Sequence, residues 1–439
     1  MEFGNLNLTE KENIIIRKGF VVNPGNEEKF ESDVLIMGGT VKEIKKNIEF
    51  KENIPIKEID ASGLYVCPGF IDMHVHLRDP GNNTEEDIKS GLKSALRGGI
   101  TSLACMPNTE PVLDCDYLIE YIKLKAAKLD YNISPVASIT KNLQGEKLSE
   151  FGLLLNSGAV AFSDDGRCVQ NSKLMYEAMR YAAQFNALLI LHEEELSFSE
   201  NGLVNEGFYS SMLGLEGISN LSEDLMVSRD IMLAKASGAR IHITHVSSAE
   251  SVKMIEDAKK DGVNITCDTT GTHLFFNDSC ITGYGTNFKI KPPIRSESDR
   301  RAIIEGLRNG TIDAIASDHA PHLSSEKNTS FKEAAFGSIG LETLFKASLT
   351  KLFFEENFSL EKIVSLISSN PAKILNIEDS SIKPGKIANI AIIDIDSENI
   401  YKTADIISKS KNSAFLNQVL KGEIMYTISN GKIMFINDK

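Results

Sequence analysis

The sequence predicts an α/β protein: a (βα)8 TIM barrel with a small β-sandwich domain formed by both chain termini. Three observations predict it. Through the middle of the chain, short apolar runs ending in polar residues alternate with amphipathic helical stretches. The two ends of the chain read instead as short strands and turns of similar texture. Histidine and aspartate recur at the ends of the apolar runs, where a barrel gathers its chemistry.

From the N-terminus, Ile14-Ile15-Ile16 and Phe20-Val21-Val22 lead into a turn at Asn23-Pro24-Gly25. Asp33-Val34-Leu35-Ile36 leads into Gly38-Gly39, and residues 41–44 follow that turn. Such runs, cut by Gly and Pro, are strand and turn signals. The C-terminal end repeats the pattern with residues 389–394, 424–428 and 432–436. Asn430-Gly431 between the last two runs is a strong hairpin signal. The two ends, residues 1–62 and 376–439, are therefore expected to pair into one small β domain beside a catalytic barrel of residues 63–375. In that middle, the runs 100–106, 187–192, 240–245 and 312–318 alternate with helical stretches at 85–97, 117–129, 173–185, 221–236 and 249–260. Alternation of this kind means parallel strands joined by crossovers. An open doubly wound sheet is the competing architecture. No Gly-x-Gly-x-x-Gly follows an early strand, so a dinucleotide fold has no support.

Composition bounds the function. The net charge of -14 argues against nucleic acid or an anionic membrane as the main partner. No apolar run is long enough to span a bilayer, and residues 1–12 lack the apolar stretch of a signal peptide. The six cysteines include no Cys-x-x-Cys pair, which points away from a disulfide framework or a thiolate zinc site and towards a reducing, cytoplasmic setting. Cys67 and Cys105 lie in apolar runs and read as small buried hydrophobes. Ser163 and Ser317 lack a nucleophile elbow.

The histidines carry the chemistry. His74 and His76 stand two apart at the end of an apolar strand, so a period of two puts both imidazoles on one face. Alone, such a pair is more often two satisfied polar groups. Here His192 ends the run 188–191, His245 ends 241–244 and Asp318 ends 315–317. In a barrel all these ends meet at one mouth. Four imidazoles and a carboxylate suit zinc or a similar divalent ion, and are too many for one tetrahedral site. Two ions need a bridge. Ser163-Asp164-Asp165-Gly166 supplies carboxylates, although taken alone that pair reads better as a solvated turn before Gly166. His242 is read as structural. His273 has a weak loop or supporting role, His319 reads as a partner of a ligand, and His322 as a residue that reaches a bound substrate.

With these residues in hand, the chain resembles the amidohydrolase superfamily, and within it the bacterial-type dihydroorotases. Four segments carry the resemblance: residues 72–81 around His74-Val75-His76-Leu77-Arg78, Met106-Pro107-Asn108-Thr109, Ser317-Asp318-His319-Ala320-Pro321-His322, and Phe336-Gly337 with Gly340-Leu341-Glu342-Thr343. The resemblance implies zinc-dependent, reversible cyclisation of N-carbamoyl-L-aspartate to dihydroorotate, a step of pyrimidine synthesis. It implies two zinc ions: one on His74, His76 and Asp318, the other on His192 and His245. Where many relatives use a carboxylated lysine as the bridge, no lysine stands here. The class with an aspartate bridge is matched instead, and its spacing favours Asp165 over Asp164. The resemblance assigns Asp318 the proton transfer. It gives the substrate to His76, Arg78, Asn108, His322 and the backbone at Phe336 and Gly337. It also implies a homo-oligomer and an aspartate transcarbamoylase partner.

Arg78 and Asn108 separate this activity from its neighbours, because dihydroorotate carries a ring carboxylate that a guanidinium pairs with in a bidentate way. Hydantoin and allantoin carry none. The departures are Lys291 in Lys291-Pro292-Pro293-Ile294-Arg295, where the family has a substrate-binding asparagine and a lysine is still long enough to reach the substrate carboxylate or else points to solvent, a single histidine in Thr272-His273, and Ala335 where proline is common. Two alternatives follow: a hydantoinase or allantoinase, and a noncatalytic partner of aspartate transcarbamoylase. The complete ligand set stands against the second.

Overall fold

The computed structural model describes residues 1–3, 11–24, 30–50 and 54–437. The turn expected at Asn23-Pro24-Gly25 runs into residues 25–29, and part of the 1–12 segment is residues 4–10; both stretches lie outside the described residues.

The alternating middle forms eight parallel strands: β1 Phe70–Val75, β2 Ile100–Cys105, β3 Asn132–Ala137, β4 Ala161–Phe162, β5 Leu188–Leu191, β6 Arg240–Ile243, β7 Ile265–Thr270 and β8 Ala314–Ala316. Each pairs in parallel with the next. The ring closes where Val75 bridges His319 and His76 N donates to His319 O at 3.0 Å. The barrel predicted from sequence is thus the one observed. Apolar side chains fill its interior, among them Ile71, Met73, Ala104, Val136, Ala161, Leu188, Ile190 and Ala314. Alternate positions such as Leu103, Phe162, Leu189, Ile241 and Ile315 face outward to the helices. This is the period-two partition of a strand buried on both faces.

The helices fall close to their expected places: Ile88–Arg97, Asp116–Lys128, Ser172–Ala183, Leu221–Ser237 and Ala249–Lys260. The first starts three residues after the expected 85. Asp87 caps it, its carboxylate accepting from Ser90 N at 2.8 Å. Glu85 and Glu86 are drawn away, to Arg78 and to His319 and Ser408.

Both ends of the chain join one nine-stranded sheet. Its order runs Glu2–Phe3, Lys432–Ile436, Val419–Ser429, Ile390–Ile400, Tyr65–Pro68, Ile14–Val21, Phe30–Met37, Thr40–Lys45, with Lys57–Asp60 beside Ile14–Val21. The sandwich is made by curling this single sheet. Thr40 bridges Ile387, and Ile14, Ile16, Val34, Ile36, Ile390, Ile392 and Ile428 are enclosed together. Asn430 and Gly431 both take positive φ, 49° and 74°, as a two-residue hairpin with the twist of its strands demands. Two boundaries differ from the sequence reading. Tyr65–Pro68 belongs to the terminal sheet, so the barrel begins at Phe70. Residues 401–418 leave that sheet and return to the barrel mouth, where Asn412 Nδ2 donates to Ala320 O at 3.0 Å and Gly337 O at 3.1 Å.

A buried ion triad joins the two bodies. Arg97, at the end of the first barrel helix, bonds to Glu423 of the terminal sheet, and Lys346 Nζ donates to both Glu423 oxygens at 3.0 Å. All three side chains are almost wholly buried. Glu423→Gln leaves two buried cations under-compensated, so it should cost about 3–5 kcal/mol, read as a lower urea midpoint at unchanged slope.

Candidate active site

The strand ends deliver the expected residues to one point. His74 Nε2 lies 3.2 Å from Asp165 Oδ1 and 3.5 Å from Asp318 Oδ1. His76 Nε2 lies 3.4 Å from Asp165 Oδ2 and 3.3 Å from Asp318 Oδ1. His192 Nδ1 and His245 Nε2 stand 3.7 Å and 3.6 Å from Asp165 Oδ1, and 2.9 Å from each other. Two triads result, His74–His76–Asp165 and Asp165–His192–His245, and they share Asp165. Asp164 points away: its carboxylate accepts from Thr140 N at 2.9 Å and bonds the Thr140 hydroxyl.

Three of the four imidazoles are aimed by the nitrogen that faces away from Asp165. Thr244 spends its one hydroxyl proton on Asp268 Oδ2 at 3.1 Å, so it accepts from His74 Nδ1 at 2.7 Å. His76 Nδ1 donates to Asn108 Oδ1 at 2.8 Å. His192 Nε2 donates to Glu194 Oε2 at 3.3 Å, and Glu194 Oε1 accepts from Lys291 Nζ at 2.6 Å. These bonds leave bare nitrogens facing Asp165, the arrangement of metal-ligating histidines with outer partners. His74 Nε2 and Asp165 Oδ1 are buried and make no hydrogen bond among the described residues. Burial opposes charge on His74, but Asp165 beside it pushes the imidazole up to about 10. Burial likewise works against a charged Asp165, yet His74 and its neighbours hold the carboxyl well below its usual range. The field favours positive charge at this spot, and the donor set of nitrogens and carboxylates suits a divalent ion.

The backbone is strained where the ligand candidates turn in. His245 and Asp318 have φ of 43° and 46°, and Arg78 has 55°, in the left-handed region that side chains avoid.

Above the histidines lies a cavity of about 250 Å³. Its lining includes His76, Arg78, Asn108, Lys291, His322, Phe336 and Gly337, every residue that the sequence reading gave to a substrate. Arg78 Nε pairs with Glu85 Oε2 at 3.1 Å and donates to Pro321 O. His322 Nε2 donates to Phe336 O at 2.7 Å. Burial, with the charges of Arg78 and Lys327, pushes His322 down to about 4.

The remaining histidines divide as follows. His242 is structural but lies beneath the centre, its Nε2 on Asp268 Oδ2 at 2.9 Å, and Asp268 also accepts from His245 N at 2.7 Å. His273 holds Pro292 O at 3.0 Å, next to Lys291. His319 meets Glu86 at 3.3 Å. Sequence reasoning missed Thr244, Glu194, Asp268, Glu85 and Asn412. Thr244 and Glu194 had a signal, standing one and two residues from histidines already singled out. Asn412 had none.

Comparison with known proteins agrees with this geometry. A family model described as dihydro-orotase-like matches residues 63–251. A dihydroorotase of Caldicellulosiruptor saccharolyticus is 43% identical over 423 residues, 96% of this chain and 98% of its own length. One from Citrifermentans bemidjiense is 45% identical over 424 residues, 96% and 99% of the two chains.

The chain belongs to the dihydroorotase family.

As a dihydroorotase it is a cyclic amide hydrolase. Its fold extends further. The L-hydantoinase (dihydropyrimidinase) of Arthrobacter aurescens superposes with a TM-score of 0.83 at 23% identity, covering 97% of this chain and 98% of that one. A dihydropyrimidinase from Brevibacillus agri gives 0.84 at 21%, covering 97% and 96%. At that identity the likeness speaks for the barrel and its terminal sheet alone. No helix among the described residues is long and apolar enough to cross a membrane.

The shared position of Asp165 and the outward turn of Asp164 yield a test. Asp165→Asn should lower affinity for a divalent ion by more than about a hundredfold, beyond what outer partners of a ligand usually cost. Asp164→Asn should leave that affinity within a few-fold, with metal titration as the readout.

Proposed function

We propose that the pocket closes N-carbamoyl-L-aspartate to dihydroorotate, and reopens it, with two zinc ions held by His74, His76, Asp165, His192, His245 and Asp318. The observation that carries the reading is one buried carboxylate, Asp165, shared by two triads directly beneath a cavity edged by Arg78. Bound zinc supplies Lewis acidity, lowering the pKa of water and polarising a carbonyl.

This chain's own groups do the rest. Arg78, fixed by Glu85 and Pro321 O, presents its guanidinium to a substrate carboxylate. Asn108 aims His76 with its oxygen and offers its amide to the same carboxylate. Asp318 Oδ1 sits 3.3 Å from His76 Nε2 at the cavity floor. Burial opposes its charge, but His76 and His74 keep its carboxyl low, so it is ionised and able to accept a proton. In ring closure the carbamoyl nitrogen forms a bond to the side-chain carboxyl carbon. Asp318 takes the proton from that nitrogen and delivers it to the departing carboxylate oxygen, which takes up a second proton from solution and leaves as water. Ring opening reverses each move.

Lys291 stands where relatives have asparagine. Its ammonium is bonded to Glu194 and lies 5.1 Å from the Phe336 ring centre, on the cavity wall. We assign it a substrate contact made with its remaining protons. His322 and the Phe336-Gly337 backbone complete that wall. Cytoplasmic location, which rests on the cysteine pattern, and self-association and pairing with aspartate transcarbamoylase, which rest on the family resemblance, belong to the same reading.

The test is turnover of dihydroorotate by zinc-loaded protein, with hydantoin and allantoin in parallel. Turnover of dihydroorotate alone is expected; preference for either uncharged ring overturns the assignment. Asp318→Asn should lower kcat by about a thousandfold, within the range of general-base removal, while both metals stay bound. Arg78→Met should raise KM by about tenfold to a hundredfold, the worth of a charged hydrogen bond.

A further inference from the structure

Two lysines lie buried beside the pocket, and among the described residues neither is paired with a carboxylate. Lys327 ends the short turn Ser324–Lys327 and is 3% exposed. Its Nζ donates to Ala335 O at 2.8 Å, to Gly337 O at 3.0 Å and to Lys289 O at 3.4 Å. An ammonium has three protons, and here each has its own backbone carbonyl. Lys289 is 2% exposed and donates to Phe331 O and Lys332 O, each at 2.9 Å. Its Nζ also lies 4.5 Å from the Phe336 ring centre. Gly337 N returns a bond to Lys289 O at 2.9 Å.

Residues 331–337 are therefore pinned by two ammonium groups, and the last two of them, Phe336 and Gly337, line the cavity. That wall has little slack. Gly337 has φ of +144°, and a Cβ there would stand 2.8 Å from His322 Cδ2 and 2.9 Å from Ala320. Buried charge usually meets a carboxylate, which would hold the proton firmly. Carbonyls alone hold it loosely. A neutral amine has one proton fewer and turns a lone pair towards one of the three carbonyls.

We infer that Lys327 is a positioning residue whose third proton holds the Phe336-Gly337 wall against the substrate, so that its loss loosens the pocket. The inference rests on reading that cavity as the substrate site. Burial, with the charge of Lys289 added, pushes Lys327 down to about 7, which places the change near neutrality. Below that value it is the ammonium; above it, the amine. The other titratable groups around it are Lys289, His322 and Glu326. His322 is down at about 4 and stays neutral through this window. Glu326 is engaged by Leu323 N at 2.8 Å. Beyond Arg78, Glu85 is pushed up to about 7 by burial despite Arg78, with Glu326 adding to the rise. Glu85 makes no bond to Lys327, so a change at Lys327 separates the two.

The experiment is amide hydrogen exchange across residues 331–337 in the metal-loaded enzyme without substrate, at about pH 6 and about pH 9, corrected for intrinsic rates. Protection should fall by about tenfold between them, the worth of one charged hydrogen bond. Lys327→Met should show the lower protection at both. The KM for dihydroorotate should rise by a similar factor in the parent over that window. In Lys327→Met it should already be raised at about pH 6 and keep only the smaller pH dependence that Glu85 contributes, with kcat within about twofold of the parent at each pH. Unchanged protection in the parent overturns the inference whether or not the variant folds. A variant with the parent's pH profile overturns it too. If exchange behaves as expected and dihydroorotate is not turned over, the wall device stands and the substrate reading falls.

Discussion

Asp165 has two oxygens, four imidazoles to face and almost no access to solvent. Most of what surrounds it answers that constraint. A buried carboxylate needs opposite charge or donors on every side. The chain supplies them from β1, β5 and β6, elements far apart in sequence that only a closed barrel brings together. Three of the rings are aimed by a further residue: Thr244 behind His74, Asn108 behind His76, Glu194 behind His192. Asp268 then supports Thr244, His242 and the His245 backbone at once. The layer below the centre is a polar network inside a barrel that is otherwise aliphatic, and each of its bonds narrows where a histidine nitrogen can point.

The fold was legible because its periodicities are clean. Runs ending at His192, His245 and Asp318 announced strand ends, and the Asn430-Gly431 turn announced its hairpin. Three things were not legible. The terminal sheet takes Tyr65–Pro68 because that segment pairs with Ile390–Ile400, a contact made across more than three hundred residues. The first barrel helix starts late because two glutamates that favour helix are claimed by distant partners. Asn412 reaches the mouth from a segment with no local pattern. In the first two cases a tertiary contact overrode a local reading, and in the third it acted where there was none; single-sequence periodicity encodes neither.

Of the centre, the ligand candidates were legible and their support was only partly so. Choosing between Asp164 and Asp165 needed the family spacing, since adjacent residues of one short loop carry the same chemistry. The structure separates them by direction: one faces Thr140, the other the histidines. Lys291 shows the converse. Its sequence position marks it as a departure, while its partner, Glu194, shows that the new charge is at least partly compensated within the protein.

The joint terminal sheet also sets an order of events during synthesis. The face that buries Ile14, Ile16, Val34 and Ile36 is completed by Ile390, Ile392 and Ile428. At ribosomal speeds those residues arrive on the order of half a minute or more after the first strand. Until then the early strands present an open edge at Tyr65–Pro68 and an uncovered aliphatic face, the kind of surface that other chains add to. The barrel, whose strands pair with near neighbours in sequence, can be largely assembled by that time. The nascent chain thus carries its most adhesive surface first and covers it last, which makes this end of the molecule a natural client for chaperones.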